Sequence, residues 1–98
     1  MIVIEGTVRI PPSNLEAARP VMEQMVRASR AEPGCLDYAY SVDVLDAGLV
    51  RVTERWASRE ALAAHFKTAH MATWRAFFPE LGITDRSLRL YDAEPEPI

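Results

Sequence analysis

Cysteine and glycine are scarce in this 98-residue chain. Cys35 is the single cysteine, which excludes an internal disulfide framework and a zinc site built from several cysteines. Only four glycines are present, and neither the glycine-rich phosphate-binding motifs nor the common hydrolase and metalloprotease motifs occur. The sequence therefore argues against a nucleotide, flavin or nicotinamide site, and we expect no cofactor.

Long apolar runs and an excess of positive charge are also lacking. No run approaches the roughly 18 apolar residues of a membrane-spanning helix, and the first residues do not resemble a secretory signal. We therefore expect a cytoplasmic protein without a membrane partner. The formal net charge is −3, from 11 basic and 14 acidic residues, which argues against nucleic acid as a partner.

The length predicts a single domain with a short tail. The acidic residues Asp92, Glu94 and Glu96 lie at the end of the chain, where prolines also interrupt any regular structure. We therefore expect a domain over residues 1–92 and an acidic, proline-containing tail over residues 93–98.

Alternation of apolar and polar residues predicts four strands, which cover residues 1–10, 35–44, 49–56 and 84–91. A hairpin loop is expected at residues 46–48, between the second and third strands. Because each half of the chain reads strand, helix, strand, the pattern predicts the split βαβ arrangement. This is an α+β fold with a four-stranded antiparallel sheet and helices on one face.

Helical spacing of apolar residues predicts the helices. The first is expected to begin with a capping box of Ser13 and Glu16, to be kinked at Pro20 and to end near Glu32. Further helices are expected after Ser58 and over residues 70–81.

Three titratable residues are candidates for catalysis. Glu54 lies on the strand face that meets the helices, where it is either paired with an arginine (Arg19, Arg27 or Arg75) or a general base of raised pKa. His65 is a candidate proton acceptor near an apolar stripe, or a structural residue bonded to a backbone carbonyl. His70 lies five residues further on, a spacing that does not match a metal pair on one helical turn, and no metal site is expected.

Aromatic residues are numerous for so short a chain. Their clustering near His65 suggests a cavity for a planar aromatic ligand, although such a stripe is also typical of a simple core. The candidate contacts for this ligand are Tyr38, Val52, Trp56, Phe66, Trp74 and Phe78.

Two segments carry a resemblance to a known family. Residues 30–38 (RAEPGCLDY) and 54–71 (ERWASREALAAHFKTAHM) resemble the antibiotic biosynthesis monooxygenase family, in particular its small quinol monooxygenase-like members. The similarity spans about residues 1–92. It implies a ferredoxin-like βαββαβ domain, and a homodimer in which the open sheet faces of two copies form a dimeric α+β barrel. In this resemblance Trp56 matches the pocket tryptophan, and His65 and His70 match the histidines that border the pocket.

The resemblance also implies an activity. Characterised members oxidise phenols or quinols with dioxygen, without metal or flavin, and we expect a cofactor-independent monooxygenase acting on a small quinol or polyphenol. Val52 stands where polyketide-modifying members carry asparagine, and Gly6 or Thr7 stands where haem-degrading relatives carry asparagine. Haem degradation is therefore not expected.

Two other functions stay open at this point. The first is a non-catalytic dimeric barrel that binds a hydrophobic metabolite. The second is an isomerase of a sugar-derived signal, which would need cationic anchors for a phosphate group, such as Arg51, Arg55 or Arg75 in the cavity.

Overall fold

The computed structural model describes residues 1–98 and contains the predicted four strands and a set of four helices. The elements in chain order are β1 (Ile2–Arg9), α1 (Leu15–Arg30), β2 (Cys35–Asp43), β3 (Asp46–Trp56), α2 (Arg59–Phe66), α3 (Ala69–Ala76), α4 (Phe78–Leu81) and β4 (Thr84–Asp92). A short 3₁₀ helix, Pro12–Asn14, precedes α1. The α+β ferredoxin-like fold predicted from the sequence is confirmed.

The four strands form one antiparallel sheet in the order β2-β3-β1-β4. β1 and β3 are the central strands, and Ile4 of β1 pairs with Glu54 of β3. On the other side of β3, Tyr38 of β2 is the partner of the same residue. Glu54 therefore lies in the middle of the sheet, between two neighbouring strands.

One face of the sheet is covered by the helices. The strand alternation predicts this face correctly for β1, where Ile2, Ile4 and Val8 are 3%, 6% and 4% exposed. Trp56, Met25 and His65 are the largest side chains that are fully buried in this layer. The opposite face presents residues such as Glu5 and Arg55, which are exposed in the single chain.

β4 pairs with β1 and approaches it closely at Gly6. A Cβ atom at this position would lie 2.0 Å from the backbone oxygen of Ser87 and 2.7 Å from the Cα of Leu88. Because backbone atoms cannot move aside cheaply, glycine is required where these two strands meet.

The predicted start of the first helix is wrong. Ser13 belongs to the short 3₁₀ helix, α1 begins at Leu15, and its N-cap residue Asn14 makes no side-chain capping bond. The Asn14 side chain instead donates to the backbone oxygen of Leu81, at 2.9 Å, and so ties the helix start to α4. α1 ends at Arg30 and not at Glu32, so Glu32 lies in the turn that follows.

The hairpin loop is also placed differently from the prediction. Residues 44 and 45 connect β2 to β3, and Asp46, Ala47 and Gly48 already belong to β3. Gly48 is paired rather than looped, because its carbonyl accepts from the backbone N–H of Ile10 at 2.9 Å. The turn itself is closed by Asp43, which accepts from the backbone N–H of Leu45.

The ends of the chain meet beside β1. The N-terminal amine donates to the backbone oxygen of Ala93, and the Ala93 N–H donates to the oxygen of Met1. Residues 93–98 carry neither helix nor strand. None of the helices has the length and apolar character needed to cross a membrane.

Candidate functional site

A cavity of about 370 Å³ lies between the sheet and the helices α2 to α4. Of the 14 residues that line it, 10 are hydrophobic. Its charged or titratable lining side chains, apart from tyrosines, are Glu54, His65, Arg75 and Arg86. A mostly apolar hollow with a few converging polar groups is the usual form of a small-molecule site.

Glu54 is 5% exposed and is held by a neighbour on its own strand. Trp56 lies two residues further along β3, so both side chains point to the helical face, and its indole N–H donates to Glu54 Oε1 at 2.9 Å. The other oxygen, Oε2, has no hydrogen-bond partner in the protein, and Glu54 lines the cavity.

Burial raises the pKa of Glu54 above that of an ordinary glutamate. The hydrogen bond from Trp56 and the nearby His65 and Arg86 oppose this rise, and Glu32 adds to it. The carboxyl group is therefore one that can hold or release a proton closer to neutral pH than an exposed carboxylate.

His65 and His70 share one carboxylate oxygen. The Nδ1 atom of His65 lies 2.6 Å from Glu32 Oε2, and the Nε2 atom of His70 lies 2.8 Å from the same atom. We refer to Glu32, His65 and His70 as the triad. An ionised carboxylate only accepts, so each of these two ring nitrogens carries a proton and donates a hydrogen bond to Glu32.

The triad fixes the ring of His65. With Nδ1 donating, the neutral imidazole has its lone pair on Nε2. Nε2 has no hydrogen-bond partner in the protein, and His65 lines the cavity although the residue is only 1% exposed. Packing also holds the ring, since its centroid lies 4.7 Å from Trp56 and 5.4 Å from Tyr38.

The turn between α1 and β2 brings Glu32 to the histidines. Gly34 follows it at a φ of +82°, a left-handed conformation that favours glycine, and a Cβ there would lie 2.7 Å from the Cβ of Ala61 on α2. Gly34 also accepts from the Ala57 N–H, at 2.8 Å. The Pro33-Gly34 turn therefore packs directly against the start of α2 and holds Glu32 beside the helical layer.

Aromatic side chains form one wall of the cavity. Tyr40 stacks on Trp74 with a centroid separation of 5.6 Å, and Phe78 meets Trp74 edge-on at 5.2 Å. The hydroxyl groups of Tyr38 and Tyr40 are 2.8 Å apart and hydrogen-bond to each other. Burial raises the pKa of both tyrosines well above the ordinary value, so they remain protonated near neutral pH.

The cavity collects most of the site residues predicted from the sequence. Those that line it are Tyr38, Val52, Glu54, His65, Phe66, Trp74 and Phe78. Trp56 and His70 do not. Trp56 is completely buried behind Glu54 and His65, where it holds both side chains and cannot frame a ligand ring. His70 contacts the site through Glu32.

Two of the alternatives left open for these residues are excluded. Glu54 makes no ion pair with Arg19, Arg27 or Arg75, because its bonded oxygen is held by Trp56 and Arg19 pairs with Glu16. His65 is bonded through Nδ1 to a carboxylate rather than to a backbone carbonyl.

The three arginines considered as phosphate anchors lie in different parts of the structure. Arg75 lines the cavity, whereas Arg51 pairs with Asp43 and Arg55 is exposed on the opposite sheet face.

Sequence reasoning missed Glu32, the cavity role of Tyr40, and Arg86. Tyr40 alternates with Tyr38 on β2, and this spacing was a usable signal. Glu32 has no local signal, because its partners lie 33 and 38 residues away.

The triad is also the group of side chains that could hold a metal ion. One ligand atom from each of Glu32, His65 and His70 lies within 4.8 Å of the others. Two histidines and a carboxylate are suitable ligands for zinc or iron. In the described arrangement, however, the two imidazole N–H groups already satisfy the carboxylate oxygen through hydrogen bonds.

A second hollow, of about 460 Å³, lies on the other side of Tyr40 and Val50, against α1. It is more open, and its charged residues Arg19, Glu23, Arg27 and Arg30 are exposed. It contains no histidine and no buried carboxylate. Of these two hollows, the first alone combines a histidine with a buried carboxyl group.

Comparisons of sequence identify relatives of the chain. A family model described as antibiotic biosynthesis monooxygenase matches residues 1–76. An uncharacterized protein of Synechocystis sp. is 27% identical over 90 residues, which cover 92% of this chain and 61% of that protein. The chain thus spans about three fifths of the length of this curated relative.

Solved structures share the fold over almost the whole chain. A Deinococcus radiodurans protein named for the same family has a TM-score of 0.91 at 24% identity, covering 100% of this chain and 97% of that one. Another structure, named antibiotic biosynthesis monooxygenase, has a TM-score of 0.83 at 28% identity and covers 97% and 100%. A Bacteroides thetaiotaomicron protein of unknown function has a TM-score of 0.76 at 29% identity and covers 92% of each chain.

Proposed function

Because this chain belongs to the antibiotic biosynthesis monooxygenase family, we propose that it oxidises a small quinol or polyphenol with dioxygen, without a cofactor. One observation supports this proposal most strongly. An acceptor nitrogen of fixed tautomer on His65 and a carboxyl group of raised pKa on Glu54 open onto the same apolar cavity. Pairs of groups with different proton affinities are typical of acid–base chemistry.

The cavity suits a flat, electron-rich ring. The stacked Tyr40 and Trp74 offer a ring face, and apolar residues such as Val52 and Leu88 surround it. A substrate ring that lies there is shielded from water, and its hydroxyl group faces the polar side chains. Orientation and exclusion of water are the contributions that this chain makes to a reaction whose electrons come from the substrate.

The first step of the proposed reaction is proton removal. His65 Nε2 accepts the proton of a ring hydroxyl group, and Glu32 stabilises the imidazolium that results through the existing Nδ1 hydrogen bond. The phenolate formed in this way is a far better electron donor than the phenol. It can reduce dioxygen directly.

The second step consumes the oxygen. Dioxygen bonds to a ring carbon, one oxygen atom stays on that carbon, and the other leaves as water. The quinol ring loses four electrons in total and becomes a hydroxyquinone, so one quinol and one dioxygen give one hydroxyquinone and one water. Glu54, whose protonated form is favoured by burial, donates a proton to the departing oxygen.

In this proposal the other candidate residues position Glu54 and His65 or contact the substrate. Trp56 positions Glu54, and His70 assists by holding Glu32, while Tyr38, Val52, Phe66, Trp74 and Phe78 contact the substrate.

We also propose that the working protein is a homodimer in the cytoplasm. A second copy would cover the sheet face that the helices leave bare, where Val3, Ala39 and Leu49 are half-buried in the single chain. Residues 1–92 would form the catalytic domain, with residues 93–98 as a tail outside it.

Oxygen consumption tests the function. Purified protein is mixed with 1,4-dihydroxynaphthalene, and oxygen uptake and the product mass are measured under ¹⁸O₂. We expect uptake above the uncatalysed rate, and a hydroxynaphthoquinone that contains one labelled oxygen atom. Uptake equal to the protein-free rate would contradict the proposal and would leave a metabolite-binding barrel as the better description. Faster formation of unlabelled naphthoquinone would show a quinol oxidase instead.

A further inference from the structure

Two exposed arginines line the cavity. Arg75 belongs to α3 and Arg86 to β4, so they reach the same cavity from the helical layer and from the sheet. Both residues are exposed. The ion pairs between arginine and carboxylate in this chain involve Arg9, Arg19 and Arg51, and neither cavity arginine takes part in one.

The charge of the cavity is positive in either state of its carboxyl group. Glu54 is the single carboxylate among the lining residues, against the two arginines. With Glu54 ionised the lining carries a net charge of +1, and with Glu54 protonated it carries +2. The chain as a whole is negative, at −3, so this positive charge is local to the cavity.

We propose that the substrate carries a carboxylate or phosphate group, and that Arg75 and Arg86 bind this group while the ring lies deeper in the cavity. This inference rests on the proposed function and names its substrate class, an anionic hydroxyarene. Guanidinium groups match the planar oxygens of carboxylates and phosphates and bind them through paired hydrogen bonds. Because both arginines are exposed, keeping them charged in the protein without a bound anion carries little desolvation penalty.

Equilibrium binding of matched probes tests the anion site. The probes are 1-hydroxy-2-naphthoic acid and its methyl ester, which share the ring and the hydroxyl group but differ in charge, and titration calorimetry measures their Kd. We expect the wild-type protein to bind the acid about tenfold more tightly than the ester. Arg75→Gln and Arg86→Gln should each lower this preference by about threefold, and the double variant should abolish it.

A matched control separates local from general charge effects. Arg59 is an exposed arginine that lines none of the cavities, and Arg59→Gln should leave the preference unchanged. Equal binding of acid and ester by the wild type, or a preference that survives in the double variant, would overturn the proposal. A third probe, 1-naphthyl phosphate, identifies the anion: tighter binding than the acid indicates a phosphate-bearing substrate, and weaker binding indicates a carboxylate.

The binding result is independent of turnover. The naphthoate probes are measured at equilibrium, in the absence of oxygen. A protein that prefers the acid but oxidises no dihydroxyarene would contradict the proposed monooxygenase reaction and leave the anion site intact. A protein that oxidises dihydroxynaphthalene but binds acid and ester equally would contradict the anion site and leave the monooxygenase reaction supported.

Discussion

The buried and the exposed polar side chains of the cavity are held in opposite ways; we refer to Glu54 and His65 as its buried end and to Arg75 and Arg86 as its open end. At the buried end, Glu54 and His65 are 5% and 1% exposed, and each is fixed by a hydrogen bond from or to another side chain. At the open end, Arg75 and Arg86 are exposed and take part in none of the arginine–carboxylate ion pairs, which involve Arg9, Arg19 and Arg51. Burying a polar group is costly unless it is bonded, so the buried end has one geometry. Exposed arginines without an ion pair can instead adjust to a ligand.

The difference assigns separate tasks to the two ends. A fixed acceptor and a carboxyl group with a raised pKa suit proton transfer, which requires defined positions. Exposed cations suit selection between substrates, because they bind an anionic group on one substrate and not on another. Replacing them should also change the free energy of unfolding very little. Variants at the buried end should therefore change kcat, and variants at the open end should change affinity.

The largest expected effect is that of His65→Gln. Glutamine keeps a polar side chain of similar length but cannot serve as the base, so kcat for dihydroxynaphthalene oxidation should fall about 10²- to 10⁴-fold. Steady-state oxygen uptake measures this effect, and circular dichroism checks that the variant folds. A folded variant with wild-type kcat would remove His65 from the reaction.

Glu32→Gln should have the next largest effect. A neutral amide stabilises the imidazolium less well and offers an N–H group where an acceptor is needed, so kcat should fall about 10- to 10²-fold with little change in KM. Glu80, an exposed glutamate of α4, provides the control, and Glu80→Gln should match the wild type. A change confined to KM would place Glu32 in binding and not in the support of His65.

The third prediction concerns stability and pH. Burial raises the pKa of Glu54 in the folded chain, so between the unfolded and folded pKa values the folded state binds more protons than the unfolded state. Stability therefore falls as the pH rises through this interval, and the loss persists above it. Trp56, His65 and Arg86 favour the ionised form and Glu32 opposes it, but burial is the largest influence.

Glu54→Gln removes this ionisation. Its Tm relative to the wild type should increase from pH 4 to pH 8 by about 2–5 °C, as measured by thermal unfolding across the pH range. The exposed control Glu80→Gln should show no such trend. A Tm difference that stays constant with pH would show that Glu54 does not titrate with a raised pKa.

The smallest expected effect at this end is that of His70→Gln. His70 does not line the cavity, and its loss leaves the bond between Glu32 and His65 in place. We expect a decrease in kcat of about two- to fivefold. A decrease as large as that of His65→Gln would mean that His70 itself carries the proton.

The predictable part of the molecule is the part that depends on neighbours along the chain. Alternation in β1 and β3 placed Ile4, Val52 and Glu54 on the helical face, because successive side chains of a strand point to opposite faces. The same rule places Trp56 on this face but does not predict how deeply it is buried. Its burial depends on His65, which belongs to α2 and covers the indole. The rule was also too local for Gly48, which pairs with Ile10 and therefore belongs to a strand.

The unpredictable part is the partner of each buried polar group. Glu32 meets His65 and His70 across more than thirty residues of sequence, through a turn whose geometry depends on Gly34. Glu54 is bonded by Trp56 rather than by an arginine, because the indole N–H is two residues away on the same face. Such pairings depend on the packing of the complete chain, and the spacing of apolar residues along the sequence does not predict them.

The tautomer of His65 is the most direct test of the account. The ¹⁵N chemical shifts and proton couplings of its ring, measured by NMR on the protein near pH 7.5, report which nitrogen carries the proton. We predict that the neutral form of the ring carries its proton on Nδ1, beside Glu32, and leaves Nε2 available to a substrate hydroxyl group. A proton on Nε2, or Nδ1 shifts that depend on added zinc or iron, would contradict the account, because His65 could then not accept a proton from the cavity.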